Sequence, residues 1–188
     1  MTMPPSRAPS KAPYQVLFLC TGNSCRSILA EALLNDLGND LGNDLGNDLG
    51  NDLGNGGFKA YSAGSKPAGF VHPQALACLN HNHVPVHRPH SKSWDEFMAT
   101  PLDLVVTVCA NAAGESCPIF PGSPAKTHWG LPDPALATGS EAEIADVFQN
   151  VFAALQTHVQ KFIAAVTATN ATDIETIVRE LGPPVMDD

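Results

Sequence analysis

Basic residues are scarce: ten Lys and Arg against nineteen Asp and Glu leave the 188-residue chain at a net charge of −9. A nucleic-acid binder built on a basic groove is excluded by that balance. Five of the acids (Asp36, Asp40, Asp44, Asp48 and Asp52) belong to one tandem repeat, and without them the net charge is an ordinary −4. Long apolar runs are missing too, and nothing approaches the ~18 residues of a membrane span. The start, Met1 to Ala12, carries Arg7 and Lys11 and has no apolar stretch before Tyr14, so it does not read as a secretory signal. The expected product is a soluble, cytoplasmic protein. Cysteines number five and include no C-x2-C pair. An odd count in a cytosolic chain is not a disulfide scaffold, so the thiols are buried hydrophobes, metal ligands or redox catalysts. With 44% hydrophobic residues, one domain of this size buries a core without staples.

Strand and helix patterns alternate along the chain. Residues 1–12, rich in Pro, Ser and Ala, read as a disordered tail. Tyr14 to Leu19 is a short apolar strand, Cys20 to Ser27 a turn of small residues, and Ile28 to Leu34 a run of strong helix formers. Asn-Asp-Leu-Gly then occurs five times between Asn35 and Gly54. Five glycines inside a helix would cost about 5 kcal/mol, so the repeat reads as an expanded loop whose first copy alone can extend the helix. Phe58 to Ala63 alternates as a second strand, and Val84 to His87 is a minor one interrupted by Pro85. His72 to Asn80 is a short helix opened by Pro73, and Ser93 caps a helical turn. Leu102 to Val108 is the clearest buried strand, followed by a long aperiodic segment from Ala110 to Pro134. A long helix runs from Ser140 to about Val166, with Val147, Val151, Leu155, His158 and Phe162 tracing one face. One more turn falls at Asp173 to Leu181. The pattern predicts a single α/β domain over 13–167, a four-stranded parallel sheet flanked by helices, with the repeat inserted at 35–54 and a tail at 168–188.

Ligands of open parallel sheets bind at the carboxyl ends of the strands. Two strand ends here carry a cysteine, Cys20 and Cys109. The loop Cys20-Thr21-Gly22-Asn23-Ser24-Cys25-Arg26-Ser27 has the form C-x5-R-S. A small-residue loop entering a helix directs several backbone N–H groups at one spot, which the helix dipole makes positive. Arg26 adds a planar fork for two oxygens of a tetrahedral anion, and the same field favours a Cys20 thiolate. A buried cysteine beside a surface arginine is the plainer alternative, but it does not explain why Gly, Asn and two Ser fill the turn.

From Val16 to Ala32, V-L-F-L-C-T-G-N-S-C-R-S-I-L-A-E-A resembles the low-molecular-weight tyrosine phosphatase fold. C-A-N-A-A-G-E-S-C-P from Cys109 and the run His128 to Pro134 narrow the resemblance to the thioredoxin-coupled arsenate reductases of that fold. The strand-end motif Tyr61-Ser62-Ala63-Gly64 belongs to it as well. The likeness spans roughly Tyr14 to Phe162. It departs from the phosphatases after Asp133-Pro134, where Ala135 and Leu136 replace the aromatic residues typical there.

The resemblance implies a three-cysteine relay. Cys20 attacks arsenate held by Arg26 and the loop residues Thr21, Gly22, Asn23, Ser24, Cys25 and Ser27, and Asp133 protonates the departing oxygen. Cys109 attacks Cys20, arsenite leaves, and Cys117 closes a Cys109–Cys117 disulfide that external thioredoxin reduces. Helical spacing would hold Cys109 and Cys117 about 12 Å apart, beyond disulfide reach, so their segment must unwind or fold back. Cys25 and Cys78 read as structural. His81, His83, His87 and His90 lack the C-x2-C partner of a zinc site and read as exposed loop residues. Asn23, Glu31 and Ser62 match an alkali-cation site of some such reductases. Lys92 stands where its acidic partner is expected, so no bound potassium, no metal and no resident cofactor are predicted. The protein is expected to act as a monomer. Two rivals stay open: a phosphatase of the same fold, and a non-catalytic sensor trapping arsenite with three thiolates.

Overall fold

The computed structural model describes residues 13–44, 57–109, 118–168 and 173–184. Two apolar runs occupy the middle of its sheet: β1, Tyr14–Cys20, and β3, Leu104–Thr107. β2, Phe58–Gly64, lies outside β1, and β4, Ala125–His128, outside β3. The order is β2-β1-β3-β4 with every pair parallel. Central strands covered on both faces need apolar residues at consecutive positions. β1 meets that demand, with Val16, Leu17, Phe18 and Leu19 all buried.

Its two faces enter different cores. Val16 and Phe18 join Leu104 and Val106 under α1 (Arg26–Asp44), α2 (Pro73–His81), α3 (Glu141–Ala168) and α4 (Ile174–Leu181). Leu17, Leu19 and Val105 pack with Phe97 and Leu102, and with Phe120. Phe97 closes a one-turn 3-10 helix, Trp94–Phe97, that Ser93 caps by accepting from the Asp95 amide. Four of the five residues expected on the inner face of α3, Val151, Leu155, His158 and Phe162, are buried there with Phe148 and Phe152, whereas the fifth, Val147, is exposed.

Two elements depart from the sequence reading. The fourth strand is β4, inside the segment taken as aperiodic, while Val84 to His87 forms no strand. β4 alternates half-buried and exposed residues at a sheet edge, so it has no apolar signature. The helix after the anion loop runs to Asp44 and takes in the first two repeat copies. Its first copy is used by the fold. The Asn35 amide donates to the Ala60 carbonyl at 3.1 Å and accepts from the Ala60 N–H at 2.9 Å, filling a gap on the free edge of β2. Gly38 lies against Phe58 so closely that a Cβ would come within 3.0–3.1 Å of the ring and its Cβ. Two helical glycines cost about 2 kcal/mol, and these contacts offset that cost. The repeat residues from 45 on lie outside the described residues, as does the expected tail at 1–12. At the other end Asp173 caps α4, whose Ile177 and Val178 are buried in the main core.

Candidate active site

β1 ends at Cys20 and α1 begins at Arg26, with Thr21 to Cys25 bent between them. The loop's carbonyls are held from outside. Lys66 N–H donates to Thr21 O at 2.9 Å, Ala68 N–H to Gly22 O at 2.8 Å and His72 N–H to Ser24 O at 2.9 Å. The Ser91 hydroxyl adds a second donor to Gly22 O at 3.0 Å. In a planar trans peptide the C=O and the following N–H point opposite ways. The amides of Gly22, Asn23 and Cys25 therefore face inward. Asn23 shows this directly, its N–H donating to Cys20 Sγ at 3.1 Å.

Asn23 takes φ = +44°, a conformation that Asn tolerates better than most residues. Its fully buried side chain donates through Nδ2 to Ser27 Oγ at 2.9 Å and accepts from Lys92 N–H at 2.8 Å. Ser27 Oγ is 3.0 Å from Cys20 Sγ. Either atom can donate in that contact, and toward a Cys20 thiolate the hydroxyl is the one that must. Cys20 Sγ thus faces two donors, the arrangement a sulfur nucleophile needs. The other loop thiol is unsuited to attack. Burial pushes Cys25 up to about 11, and the Asp133 and Cys20 charges add to this against the Ser24 hydrogen bond and Arg26.

Beneath the loop, Gly64 at the end of β2 would carry a Cβ only 2.5 Å from Thr21 O. Nothing larger than glycine fits there. The Ser62 hydroxyl donates to Glu31, and Lys92 Nζ contacts Ser62 Oγ at 3.3 Å, His90 O at 3.2 Å and Glu31 Oε2 at 3.5 Å. Lys92 is 9% exposed, so its ammonium sits among the groups that the sequence reading assigned to an alkali cation. Sequence reasoning saw Lys92 as a charge. It missed the backbone, whose N–H orders Asn23 and whose carbonyl accepts from Gly64 N–H at 2.9 Å.

Asp133 reaches the site from the loop after β4. One of its oxygens accepts from Ala135 N–H at 3.1 Å, capping a short 3-10 turn, and the other is 2.9 Å from Arg26 Nη2. Arg26 Nη1 donates to Leu131 O at 2.9 Å. That carbonyl partner, 105 residues away in the chain, left no mark in the sequence. Cys109 ends the run after β3, is buried, and lies 3.7 Å from the Thr21 hydroxyl through its sulfur. Cys117 lies outside the described residues. Cys78 is buried between α2 and α3, where desolvation raises its thiol to about 11 against the Asn82 hydrogen bond. His81, His83, His87 and His90 are all exposed. Among the described residues no group of three His, Cys, Asp or Glu is arranged to hold a metal ion, and no helix is long and apolar enough to cross a membrane.

A strand-end cysteine, inward amides at a helix start, an arginine fork and a facing carboxylate stand together, an arrangement suited to a thiol attacking a tetrahedral oxyanion. The chain belongs to the low molecular weight phosphotyrosine protein phosphatase family, whose profile matches residues 15–172. It is 35% identical over 137 residues to an arsenate reductase of Bacillus subtilis, a match covering 72% of this chain and 85% of that protein. Among solved structures it is similar to an arsenate reductase from Archaeoglobus fulgidus, with a TM-score of 0.58 and 26% identity over 79% of this chain and 98% of the other. It also resembles a thioredoxin-dependent arsenate reductase from Corynebacterium glutamicum, with a TM-score of 0.51 and 26% identity over 79% of this chain and 63% of that one.

Proposed function

We propose that this protein is an arsenate reductase, converting arsenate to arsenite with electrons delivered by thioredoxin. Cys20 attacks arsenic, an oxygen leaves with a proton from Asp133, and a sulfur–arsenic bond forms while Arg26 and the loop amides hold the remaining oxygens. Cys109 then attacks Cys20 Sγ. The sulfur–arsenic bond breaks, its electron pair reduces As(V) to As(III), and a Cys20–Cys109 disulfide is left. Cys117 attacks Cys109, freeing the Cys20 thiolate, and thioredoxin reduces the resulting Cys109–Cys117 disulfide.

The observation that carries this reading over simple ester hydrolysis is Cys109, buried with its sulfur against Thr21, the residue next to the nucleophile. A phosphatase needs Cys20, Arg26 and Asp133 but has no use for a second thiol there. The exposed Leu136, in place of an aromatic ring beside the site, points the same way. Arsenite production with thioredoxin supplied, measured in serine variants, tests the reading. Cys109→Ser and Cys117→Ser should abolish arsenate turnover and spare any hydrolysis of an aryl phosphate. Cys117→Ser treated with arsenate should accumulate a Cys20–Cys109 disulfide visible by mass spectrometry. Full turnover in both variants would exclude the relay and leave a phosphatase, or a route through Cys20 alone.

A further inference from the structure

Both terminal nitrogens of Arg26 are engaged by the protein itself, Nη1 by Leu131 O and Nη2 by the Asp133 carboxylate. The two partners differ in what a substrate would meet. The Leu131 carbonyl is neutral, and its segment is fixed by a Leu131 N–H bond to Val108 O. Asp133 is an anion sitting on the one guanidinium of the oxyanion loop. Its position is held independently of Arg26, since its second oxygen caps the Ala135 amide and Pro134, buried, follows it directly. The carboxylate therefore stays beside the loop even when its contact with Arg26 is exchanged. Its charge faces the loop through the 2.9 Å contact with Arg26 Nη2.

We propose that Asp133 is a built-in competitor for the oxyanion, occupying the arginine that the substrate has to claim. Entry of the anion exchanges Asp133 for a substrate oxygen on Arg26 Nη2, or forces the two negative groups to share it. In either case the resting ion pair weakens ground-state binding. The same exchange frees the carboxylate beside the bound anion, where it takes up a proton from solvent and can then pass that proton to the leaving oxygen. The reaction so gains its acid at the cost of affinity, and a dianion meets the strongest opposition.

This inference rests on the oxyanion reading of the loop, and inorganic phosphate, which thiols do not reduce, probes both. Titration calorimetry should show Asp133→Asn binding phosphate about tenfold more tightly than the wild type, which corresponds to about 1.4 kcal/mol, while its arsenate turnover falls. Asn keeps an oxygen for the Ala135 cap and removes only the charge; Asp133→Ala serves if the Asn variant does not fold. In an Arg26→Ala background the gain should vanish, because no guanidinium remains to compete for. Equal or weaker phosphate binding by the Asp133 variants, or a gain that persists without Arg26, would overturn the competition. If the wild type and the Asp133 variants all fail to bind phosphate, the oxyanion reading itself falls and this inference falls with it.

Discussion

A methyl group at position 64 has nowhere to go, because the nearest atom is backbone oxygen of the anion loop rather than a flexible side chain. Gly64→Ala should push Thr21 outward, destabilise the fold by about 1–3 kcal/mol and weaken phosphate binding, as calorimetry and thermal melts would record. Ser27→Ala is expected to act more locally. It removes the hydroxyl donor from Cys20 and leaves the buried Asn23 amide without its acceptor, costing about 1–3 kcal/mol, and it should slow Cys20 alkylation at neutral pH. Lys92→Met should lower stability by roughly 1 kcal/mol, a modest figure because Glu31 is partly exposed, while potassium should activate the wild type no more than sodium. The residues proposed to touch substrate stand out in the sequence because C-x5-R-S and Asp-Pro are compact local signals. The residues that hold them do not: Asn23 meets Lys92 across 69 positions, and such loop-to-loop bonds impose no periodicity on either segment.

Elements were legible where burial on two faces forces apolar runs, as in β1 and β3, and illegible where it does not. β4 has a polar alternation of four residues, and Val84 to His87 has apolar residues without sheet neighbours. Helix α1 was misjudged at its end because propensity alone counts each glycine as a loss, whereas Gly38 is where Phe58 needs space and Asn35 is where β2 needs a partner. Asn35→Ala should therefore cost about 1–2 kcal/mol in a urea melt, since it strips both bonds from Ala60 at an edge that neighbouring chains could otherwise pair with. Deleting Asn39 to Gly54 leaves that first copy intact and should keep arsenate turnover within a few fold, because shortening a connection changes closure entropy only slightly, about 0.6 kcal/mol per halving.

Over the whole molecule, the last helices close the core around a group that prefers to stay neutral. His158 is buried edge-on to Trp129 at 4.4 Å, and desolvation first, then the Lys161 charge, lowers its pKa to about 4 despite a hydrogen bond to the Gly182 backbone. An unfolded histidine titrates near 6.5, so between roughly pH 6.5 and 4 the unfolded chain binds the extra proton. Stability from this group is full above about 6.5 and is lost as pH falls towards 4, by at most roughly 3 kcal/mol. Thermal melts of His158→Phe over that range should show a shallower acid loss than the wild type; parallel curves would remove His158 from the account. Trp129 leads directly into the Leu131–Asp133 segment, so the same acid step should loosen the partners of Arg26. The tandem tetrads have a further consequence, for heredity rather than for folding. Excising any one copy of an identical series produces the same chain, and the surviving leading copy still supplies Asn35 and Gly38 in their places. Gains or losses of whole copies during DNA replication should then pass without penalty, so lineages carrying this gene are expected to differ in tetrad number while the first tetrad stays constant, whereas insertions out of step with four residues should be rare.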